Sequence, residues 1–208
     1  MVCIVTYHNA PTHRYLLDAM HRDRKRVFID TLRWNLPHEA ERELDQFDNA
    51  HAKYLILHNP KTGDHLASLR LLETVRPHLM SEIFPFLCEA GVPHGPRIRE
   101  VTRLCLSPRL RARDRLQARN ALINGLVQYA LWTGVEALTG VSDKNFLNQV
   151  LEAGWDCVPL GQLRLIDRAQ VGAFQINITR NTLSTLNSSW RYEPANLLPL
   201  DINQPLAA

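Results

Sequence analysis

Apolar positions recur along the first half of the chain with two different periods, and these periods predict strands and helices. The β-branched run VCIVTYH near the start predicts a first strand. From His13 to about Arg33, apolar side chains recur at three- and four-residue spacing, which places them on one face of a helix. The runs AKYLILHN and HLASLRLLET, joined by the turn PKTGD, predict an antiparallel hairpin. Residues 34–50 between helix and hairpin show no clear period.

The second half continues the alternation of strands and helices. LMSEIFPFL predicts at most a short helix, and RIREVTRLCLSP predicts a strand that ends at Pro108. A long helix is predicted from Arg115 to about Trp132, followed by the strand VEALTGVS and the helix NFLNQVLEAG. WDCVPLG and LRLIDRAQVGAFQINI predict further strands, and a short helix is predicted from Thr179.

The order of these elements predicts one mixed domain. No repeat and no Pro- or Ser-rich linker divides the chain, so we expect a single domain over residues 1–190 and a partly disordered tail over residues 191–208. Strands that mostly follow one another through turns predict a largely antiparallel sheet flanked by helices, which is an α/β (α+β) fold.

Composition excludes several classes of protein. The chain has 208 residues, and 45% of them are hydrophobic, which is enough for a sizeable core. A net charge of +3 is too small to indicate binding to nucleic acid. No apolar run approaches the ~20 residues of a membrane span. The N-terminus does not resemble a signal peptide, so we expect a cytoplasmic protein. The four cysteines form no C-x-x-C pair, so there is no zinc signature and we expect no metal.

Charged residues interrupt three of the apolar segments. Arg24 lies in the middle of the apolar stripe of the first helix, and Arg70 lies in the strand LASLRLL. Glu100 and Arg103 lie in a third such strand, where their spacing directs them to opposite faces unless the strand bends or bulges. A lone buried ion costs several kcal/mol, so such charges persist only when they are paired or face a polar cavity.

The unpatterned segment supplies acids for these arginines. The motif DQFD places Asp45 and Asp48 three residues apart. Taken singly, each arginine is more typical of a surface or strand-edge position, and Asp45 alone is more typical of a solvated loop. Together, three arginines and the carboxylates of Asp45, Asp48 and Glu100 from four segments indicate an active site.

These motifs resemble the LuxI-type acyl-homoserine-lactone synthases. The resemblance rests on R-x-x-x-F-x-x-x-x-x-W at Arg24, Phe28 and Trp34, then DQFD, then SLRL at residues 68–71, then EVTR at residues 100–103. The motifs occur in the family's order and span about the first half of the chain. Where the family often has tryptophan before the glutamate, this chain has arginine.

The resemblance implies a fold similar to N-acetyltransferases, with a mixed sheet splayed into a V between helices in a three-layer sandwich. It implies synthesis of an N-acyl-homoserine lactone, a quorum-sensing signal. The substrates would be S-adenosylmethionine and an acyl chain carried by acyl carrier protein or coenzyme A. Methylthioadenosine would leave, and no cofactor would be needed because S-adenosylmethionine is a substrate.

The resemblance also assigns roles to the charged and aromatic residues. Glu100 would act as the base through a water, and Arg103 would orient the amine, although a nearby arginine would weaken the base by lowering its pKa. The remaining candidates for contact with S-adenosylmethionine or for holding the charges in place are Arg24, Phe28, Trp34, Asp45, Asp48, Arg70, Phe84 and Thr102. For the aromatic residues, plain core packing is the competing interpretation.

Two further groups of residues complete the predicted site. The acyl pocket is expected between the second long helix and the later strands, lined by Leu126, Tyr129, Gly140, Ser142, Phe146, Val150 and Trp155. The resemblance implies a hydroxyl residue at the place of Gly140 in some family members, where it could bond a 3-oxo group. Because glycine lacks that hydroxyl and opens space, we expect a preference for acyl chains without a 3-oxo group. Docking of the acyl donor is assigned to a basic run that could equally be a solvated face: Arg109, Arg111, Arg113 and Arg115. Lys144 is a further candidate for this basic patch.

Two other functions remain open from the sequence. An N-acyltransferase of the same fold would acylate another amine and release a simple amide. A non-catalytic binder of acyl carrier protein would have no need for the charge cluster, which argues against it. Cys105 lies in an apolar setting without a nearby histidine, so we interpret it as a core thiol.

Overall fold

Eight strands form one mixed sheet in the computed structural model, which describes residues 1–189. The order across the sheet is β1-β2-β3-β4-β5-β8-β6, and β7 pairs with β8. β4 and β5 are parallel, and the other pairings are antiparallel, as the sequence predicts. The strands are β1 Val2–Val5, β2 Lys53–His58, β3 His65–Glu73, β4 Ile98–Leu106, β5 Ala137–Asp143, β6 Cys157–Pro159, β7 Arg164–Ile166 and β8 Ala169–Asn177.

The described residues form five α-helices: α1 Arg14–Arg24, α2 Leu79–Glu82, α3 Ala112–Thr133, α4 Lys144–Leu151 and α5 Thr182–Ser189. The predicted first helix is present, but it begins with a 3₁₀ turn and continues beyond α1 as a π-helix, Lys25–Thr31. α3 ends at Gly134, whose φ of 70° suits a residue without a side chain. The side chain of Asp143 caps α4 by accepting the amides of Asn145 and Phe146.

The two faces of the sheet have different coverings. On one face, α3 and α4 bury a large apolar core that includes Leu55, Leu69, Leu71, Leu122 and Leu138. On the other face, α1 and residues 34–50 cover a smaller apolar cluster that includes Met20, Phe47, Ile56 and Leu72. The result is a three-layer arrangement of helix, sheet and helix, which the sequence predicted.

A bulge in β4 changes the direction of Arg103. Arg70 pairs with Thr102 and Ser68 pairs with Cys105, so two residues of β4 lie opposite the single residue Leu69 of β3. Arg103 takes a φ of 54°, which is uncommon for any residue except glycine. The bulge brings Arg103 to the α1 face of the sheet, the face that Glu100 also occupies. Sequence periodicity alone would have separated the two side chains.

The sheet opens into a V between β4 and β5. The two strands pair only from Ile98 to Val101 on β4 and from Ala137 to Gly140 on β5. Beyond Val101 and Gly140 the strands diverge, so their facing edges no longer bond to each other. This is the splayed sheet that the family resemblance implied, and Gly140 lies at its apex.

The remaining sequence expectations concern features other than the sheet. The predicted tail, residues 191–208, falls outside the described part of the chain, and so does the predicted domain end at residue 190. None of the helices in residues 1–189 is long and apolar enough to cross a membrane. All four cysteines are free thiols, and burial raises the pKa of Cys105 to about 12, consistent with a core position.

Candidate active site

Arg24 anchors a buried ion-pair network on the α1 face. Its Nε donates to Glu43 Oε2, and its two terminal nitrogens donate to Asp48 Oδ1 and Oδ2 over 2.8 and 2.9 Å. The three side chains are at most 1% exposed. Because each ion is satisfied by a charged partner, the network meets the requirement that buried charges be paired.

Arg70 and Arg103 extend the network from the sheet. Arg70 forms a two-point contact with Asp45 over 2.6 and 2.9 Å, and its Nε donates to Thr102 Oγ1. Arg103 donates to Asp45 Oδ2 over 2.7 Å and to Glu43 Oε1 over 3.1 Å. The structure therefore brings together five of the charged residues that the sequence singled out, from α1, residues 34–50, β3 and β4.

Glu43 is the member of the network that the sequence analysis missed. It is fully buried and accepts hydrogen bonds from both Arg24 and Arg103. The third carboxylate of the network is therefore Glu43, whereas the sequence pattern predicts Glu100. The sequence ERELDQFD carries one usable signal: in an extended segment, the alternate positions 43 and 45 point to the same side. That signal is weak, because glutamates in a polar stretch are usually solvated.

The arginines fix the ionisation of the acids. Burial opposes the ionised form of Asp48, but hydrogen bonds and charge from Arg24, together with the charge of Arg70, hold its pKa well below the ordinary range. Burial also opposes ionisation of Asp45, and Arg70 and Arg103 reverse that effect and lower its pKa. Both aspartates are therefore carboxylates at neutral pH.

Glu100 lies beside this network without joining it. One carboxyl oxygen, Oε1, accepts the backbone amide of Met80 at the start of α2 over 3.0 Å. The other, Oε2, is buried and has no hydrogen-bond partner within residues 1–189. Burial raises the pKa of Glu100 to about 7, although the backbone amides of Met80 and Leu79 and the charges of Arg70 and Arg103 act in the opposite direction. A carboxylate of this basicity can accept a proton near neutral pH.

Two of the three aromatic candidates form a stack at the edge of the network. The rings of Phe28 and Trp34 lie 5.1 Å apart and nearly parallel, and the guanidinium of Arg103 lies 5.9 Å from the Phe28 ring centroid. Phe28 is buried, whereas Trp34 is 47% exposed. Phe84 lies elsewhere, packed against the apolar cluster of Met80, Leu87 and Cys88.

The predicted acyl-pocket residues lie on the opposite face of the sheet. Phe146 packs against the α3 core. Four others are buried within that core: Leu126, Tyr129, Val150 and Trp155. The space beside Gly140 is not open, contrary to the expectation from the sequence. A Cβ added to Gly140 would lie 2.7 Å from the ring of Phe174, so that ring occupies the position of the missing side chain.

The predicted docking arginines differ in their surroundings. Arg111 is the N-cap residue of α3 and offers no side-chain cap, and Arg113 and Lys144 are exposed. Arg115 donates to the carbonyl oxygen of Ser107. Arg109 is held by a two-point contact of 2.9 Å with the buried Asp23.

Asp23 belongs to a second buried network that the sequence did not reveal. Its Oδ2 lies 2.8 Å from His65 Nδ1, and His65 Nε2 lies 2.9 Å from Ser68 Oγ. All three side chains are buried. His65 opens a strand and Asp23 precedes Arg24 on α1, so nothing in their spacing connects them. This network links α1 to β3 and positions the segment that follows β4.

The sequence as a whole matches a known family. The family model described as autoinducer synthase matches residues 8–186. The chain belongs to this family. An acyl-homoserine-lactone synthase of Rhizobium etli is 30% identical over 204 residues, covering 96% of this chain and 95% of that protein. An isovaleryl-homoserine lactone synthase of Bradyrhizobium diazoefficiens is 28% identical over 193 residues, covering 90% and 84% respectively.

Solved structures agree with this family assignment. A CoA-dependent acyl-homoserine lactone synthase, BjaI, solved with SAM and isopentyl-CoA, superposes with a TM-score of 0.81 at 26% identity, covering 90% of this chain and 88% of that chain. An acyl-CoA N-acyltransferase from Pseudomonas aeruginosa gives a TM-score of 0.60 at 16% identity, covering 84% and 97%, and shows a shared fold alone.

These comparisons test the predictions of family, fold and enzyme class that the sequence gives. The LuxI-type family, the N-acetyltransferase-like fold and the acyltransferase class are confirmed, and the autoinducer synthase described here forms an N-acyl-homoserine lactone. The roles assigned to single residues stay predictions that rest on the geometry of the network, Glu100 and the V.

Replacing Glu43 with glutamine should destabilise the enzyme. The change removes one charge partner from each of two buried arginines, and breaking a buried ion pair costs roughly 3–5 kcal/mol. Because Arg24 and Arg103 each retain an aspartate, we expect a loss of about 3 kcal/mol in the free energy of unfolding, measured by chemical denaturation. The control is Glu41→Gln on the same segment, which is exposed and should change stability by less than about 0.5 kcal/mol. Equal stability of the two variants would contradict the network.

Proposed function

We propose that the enzyme makes its lactone from S-adenosylmethionine and an acyl-coenzyme A, with Glu100 as the base. The observation that carries the proposal is the free oxygen of Glu100. It lies on a buried carboxyl with a pKa of about 7, beside a charge network and one residue from the apex of the V. The similarity to BjaI, which was solved with SAM and isopentyl-CoA, supports both substrates.

S-adenosylmethionine would bind at the accessible edge of the charge network. Arg103 and Asp45 are 8% and 7% exposed, whereas the other charged members are at most 1% exposed. An arginine and an aspartate at the rim suit the carboxylate and the ammonium of the methionyl group. The Phe28–Trp34 stack beside Arg103 offers an aromatic face to the sulfonium or the adenine.

The first reaction step is acyl transfer to the methionyl amine. Glu100 accepts a proton from the ammonium through a water, and an α-amino pKa near ~8 makes this transfer nearly balanced. The freed nitrogen attacks the thioester carbonyl and the carbon–sulfur bond breaks. The surplus proton on the nitrogen passes to the departing thiolate, and the proton taken up by Glu100 is released to solvent. Arg103 does not prevent this chemistry, because Glu43 and Asp45 already bind its charge.

The second step closes the lactone. The methionyl carboxylate attacks the carbon that carries the sulfonium, the carbon–sulfur bond breaks, and neutral methylthioadenosine leaves. The sulfonium is already a good leaving group, so the enzyme need only hold the acylated methionyl chain in a folded conformer. The network is suited to this task because its side chains are buried and fixed by two-point contacts.

Coenzyme A would enter from the side of the V where α3 begins. The segment between β4 and α3 carries Arg109 and Arg111, Arg113 lies in the first turn of α3, and the N-terminus of α3 has no side-chain cap. A helix N-terminus with basic neighbours attracts phosphate, which coenzyme A supplies. From there the pantetheine arm would reach the apex of the V, where the thioester meets the amine beside Glu100.

The acyl chain would pass through the V into the α3 core. Phe174 limits its length, because the Phe174 ring fills the position beside Gly140. We therefore propose that the enzyme prefers short or branched acyl groups. Gly140 offers no hydroxyl to a 3-oxo group, so the preference for unsubstituted chains remains the prediction at this position.

Purified enzyme should convert S-adenosylmethionine and a short acyl-coenzyme A into equal amounts of lactone and methylthioadenosine. Mass spectrometry detects both products, and the same acyl group on acyl carrier protein should react with a lower kcat/KM. A simple amide without methylthioadenosine would instead identify an N-acyltransferase with another acceptor. A higher kcat/KM with the carrier protein would refute the choice of donor.

Glu100→Gln should abolish most of the activity and change the pH dependence of stability. General-base help contributes about 10²–10⁴-fold to rate, and the wild-type rate should rise with pH through about 7 as Glu100 ionises. Because the pKa of Glu100 is raised from 4.5 to about 7, the folded enzyme holds a proton that the unfolded chain has lost. The wild type should therefore lose up to roughly 3 kcal/mol of unfolding free energy as pH rises across this window.

The glutamine variant should lack that contribution, and denaturation at several pH values measures the difference. The exposed Glu152→Gln serves as the control and should follow the wild type in both rate and stability. A Glu100→Gln enzyme with turnover within a few-fold of the wild type would remove Glu100 from the mechanism.

Phe174→Ala should extend the range of accepted acyl chains. Removing the ring opens space at the apex of the V, so kcat/KM for a donor longer by two to four carbons should rise relative to the short donor. Competition assays with mixed donors measure this ratio. Ile176→Ala truncates a core residue on the same face of the same strand, away from the apex, and should lose stability without changing the ratio. An unchanged ratio in Phe174→Ala would contradict its role.

A further inference from the structure

A row of polar residues crosses the α1 face of the sheet at Glu100. In the parallel pairing of β4 and β5, Glu100 is the register partner of Thr139, and Thr139 is in turn the partner of Gln175 on β8. Register partners on neighbouring strands project to the same face and lie about 5 Å apart. On the other side of Glu100, the row continues with the apolar Leu72. Glu100 and Thr139 are therefore direct neighbours.

Both neighbours carry an unsatisfied oxygen. Glu100 and Thr139 are each fully buried, and neither Glu100 Oε2 nor Thr139 Oγ1 has a hydrogen-bond partner among the described residues. A buried hydroxyl without a partner destabilises a protein, and valine has nearly the same shape without that cost. Packing alone therefore does not explain why position 139 carries a threonine.

The surrounding polar groups do not bond to either of these two oxygens. The other oxygen of Glu100 is occupied by the Met80 amide, and the side-chain amide of Gln175 donates to Asn177 over 2.9 Å. Val141 and Ala173 form the next row, and both belong to an apolar cluster with Met80. Two free oxygens on adjacent strands thus remain side by side, one on the base and one on a hydroxyl.

We propose that Thr139 is a positioning residue for proton transfer, whose hydroxyl and Glu100 Oε2 together hold the water between the amine and the base. This inference rests on the proposed function. The threonine hydroxyl donates to the water oxygen, and the water donates to Oε2. The ammonium then gives a proton to the water while the water gives one to Oε2, so the amine becomes neutral and Glu100 becomes a carboxylic acid.

The first test compares Thr139→Val with Thr139→Ser and the wild type. The valine variant should lose about tenfold to a hundredfold in kcat, because a misplaced catalytic water weakens a contribution of that order. Its KM for S-adenosylmethionine should stay within about twofold, since the hydroxyl makes no contact with the charge network. The serine variant keeps the hydroxyl and should recover most of the lost kcat.

The second test measures stability alongside activity. Thr139→Val should unfold at the same or a higher temperature than the wild type, because it removes an unsatisfied hydroxyl from the interior. Thr74→Val is the matched control: Thr74 is also buried, but its hydroxyl bonds to the backbone of Gly95 and Ile98. The control should lower the melting temperature and leave kcat unchanged. Opposite effects of the two substitutions would support a functional hydroxyl at Thr139.

A third readout is the pH dependence of kcat. Arg70, Arg103 and Cys88 interact electrostatically with Glu100, and none of them changes in Thr139→Val. Loss of the hydroxyl removes a hydrogen-bonded water that favours the ionised carboxylate, so the acid limb of the profile should move to higher pH.

A valine variant with wild-type kcat and an unshifted profile would overturn the proposal, as would a serine variant that fails to recover activity. Failure of the proposed function would show differently, as a Glu100→Gln enzyme whose turnover stays within a few-fold of the wild type, and it would remove the role of Thr139 as well.

Discussion

The buried contacts between three arginines and three carboxylates impose the main constraint on this structure. Moving six charges out of water is costly, and fixed partners must offset that cost. Residues 34–50 have little regular structure, yet Glu43, Asp45 and Asp48 hold them against α1 and the sheet. The same contacts require Arg103 on the α1 face, which only the bulge in β4 permits. The same contacts fix residues 34–50 as one wall of the proposed S-adenosylmethionine site.

The basicity of Glu100 depends on this network being internally balanced. Two unpaired arginines near a carboxyl would lower its pKa and make it a poor base. Here Arg70 and Arg103 each bind an aspartate, and Arg103 also binds Glu43, so burial has the larger effect and raises the pKa of Glu100 to about 7. In the proposed mechanism, the missed residue Glu43 would contribute indirectly, by balancing an arginine that would otherwise oppose the base.

Sequence patterns predicted the elements well and their contacts incompletely. Apolar periodicity located the strands, the long helices and the hairpin, because burial of one face imposes those periods. The misplaced charges identified Arg24, Arg70 and Glu100 for the same reason: an ion in an apolar stripe needs an explanation. Features that depend on contacts between distant segments left no local pattern. The bulge at Arg103, the link from Asp23 to His65, and the ring of Phe174 beside Gly140 are of this kind.

Charged and polar groups lie on one face of the sheet and the apolar core lies on the other. The two faces meet at the apex of the V. Glu100 and Thr139 face the charge network, whereas their immediate successors Val101 and Gly140 face the apolar core. Pairing of β4 with β5 ends at those successors, so an acyl donor bound in the V as proposed would meet ionic groups on one side and apolar packing on the other. A thioester carbonyl placed at the apex can then keep its acyl chain away from water while the amine attacks from the polar face. In the proposed mechanism, this separation would allow the acyl pocket to vary without disturbing the charge network.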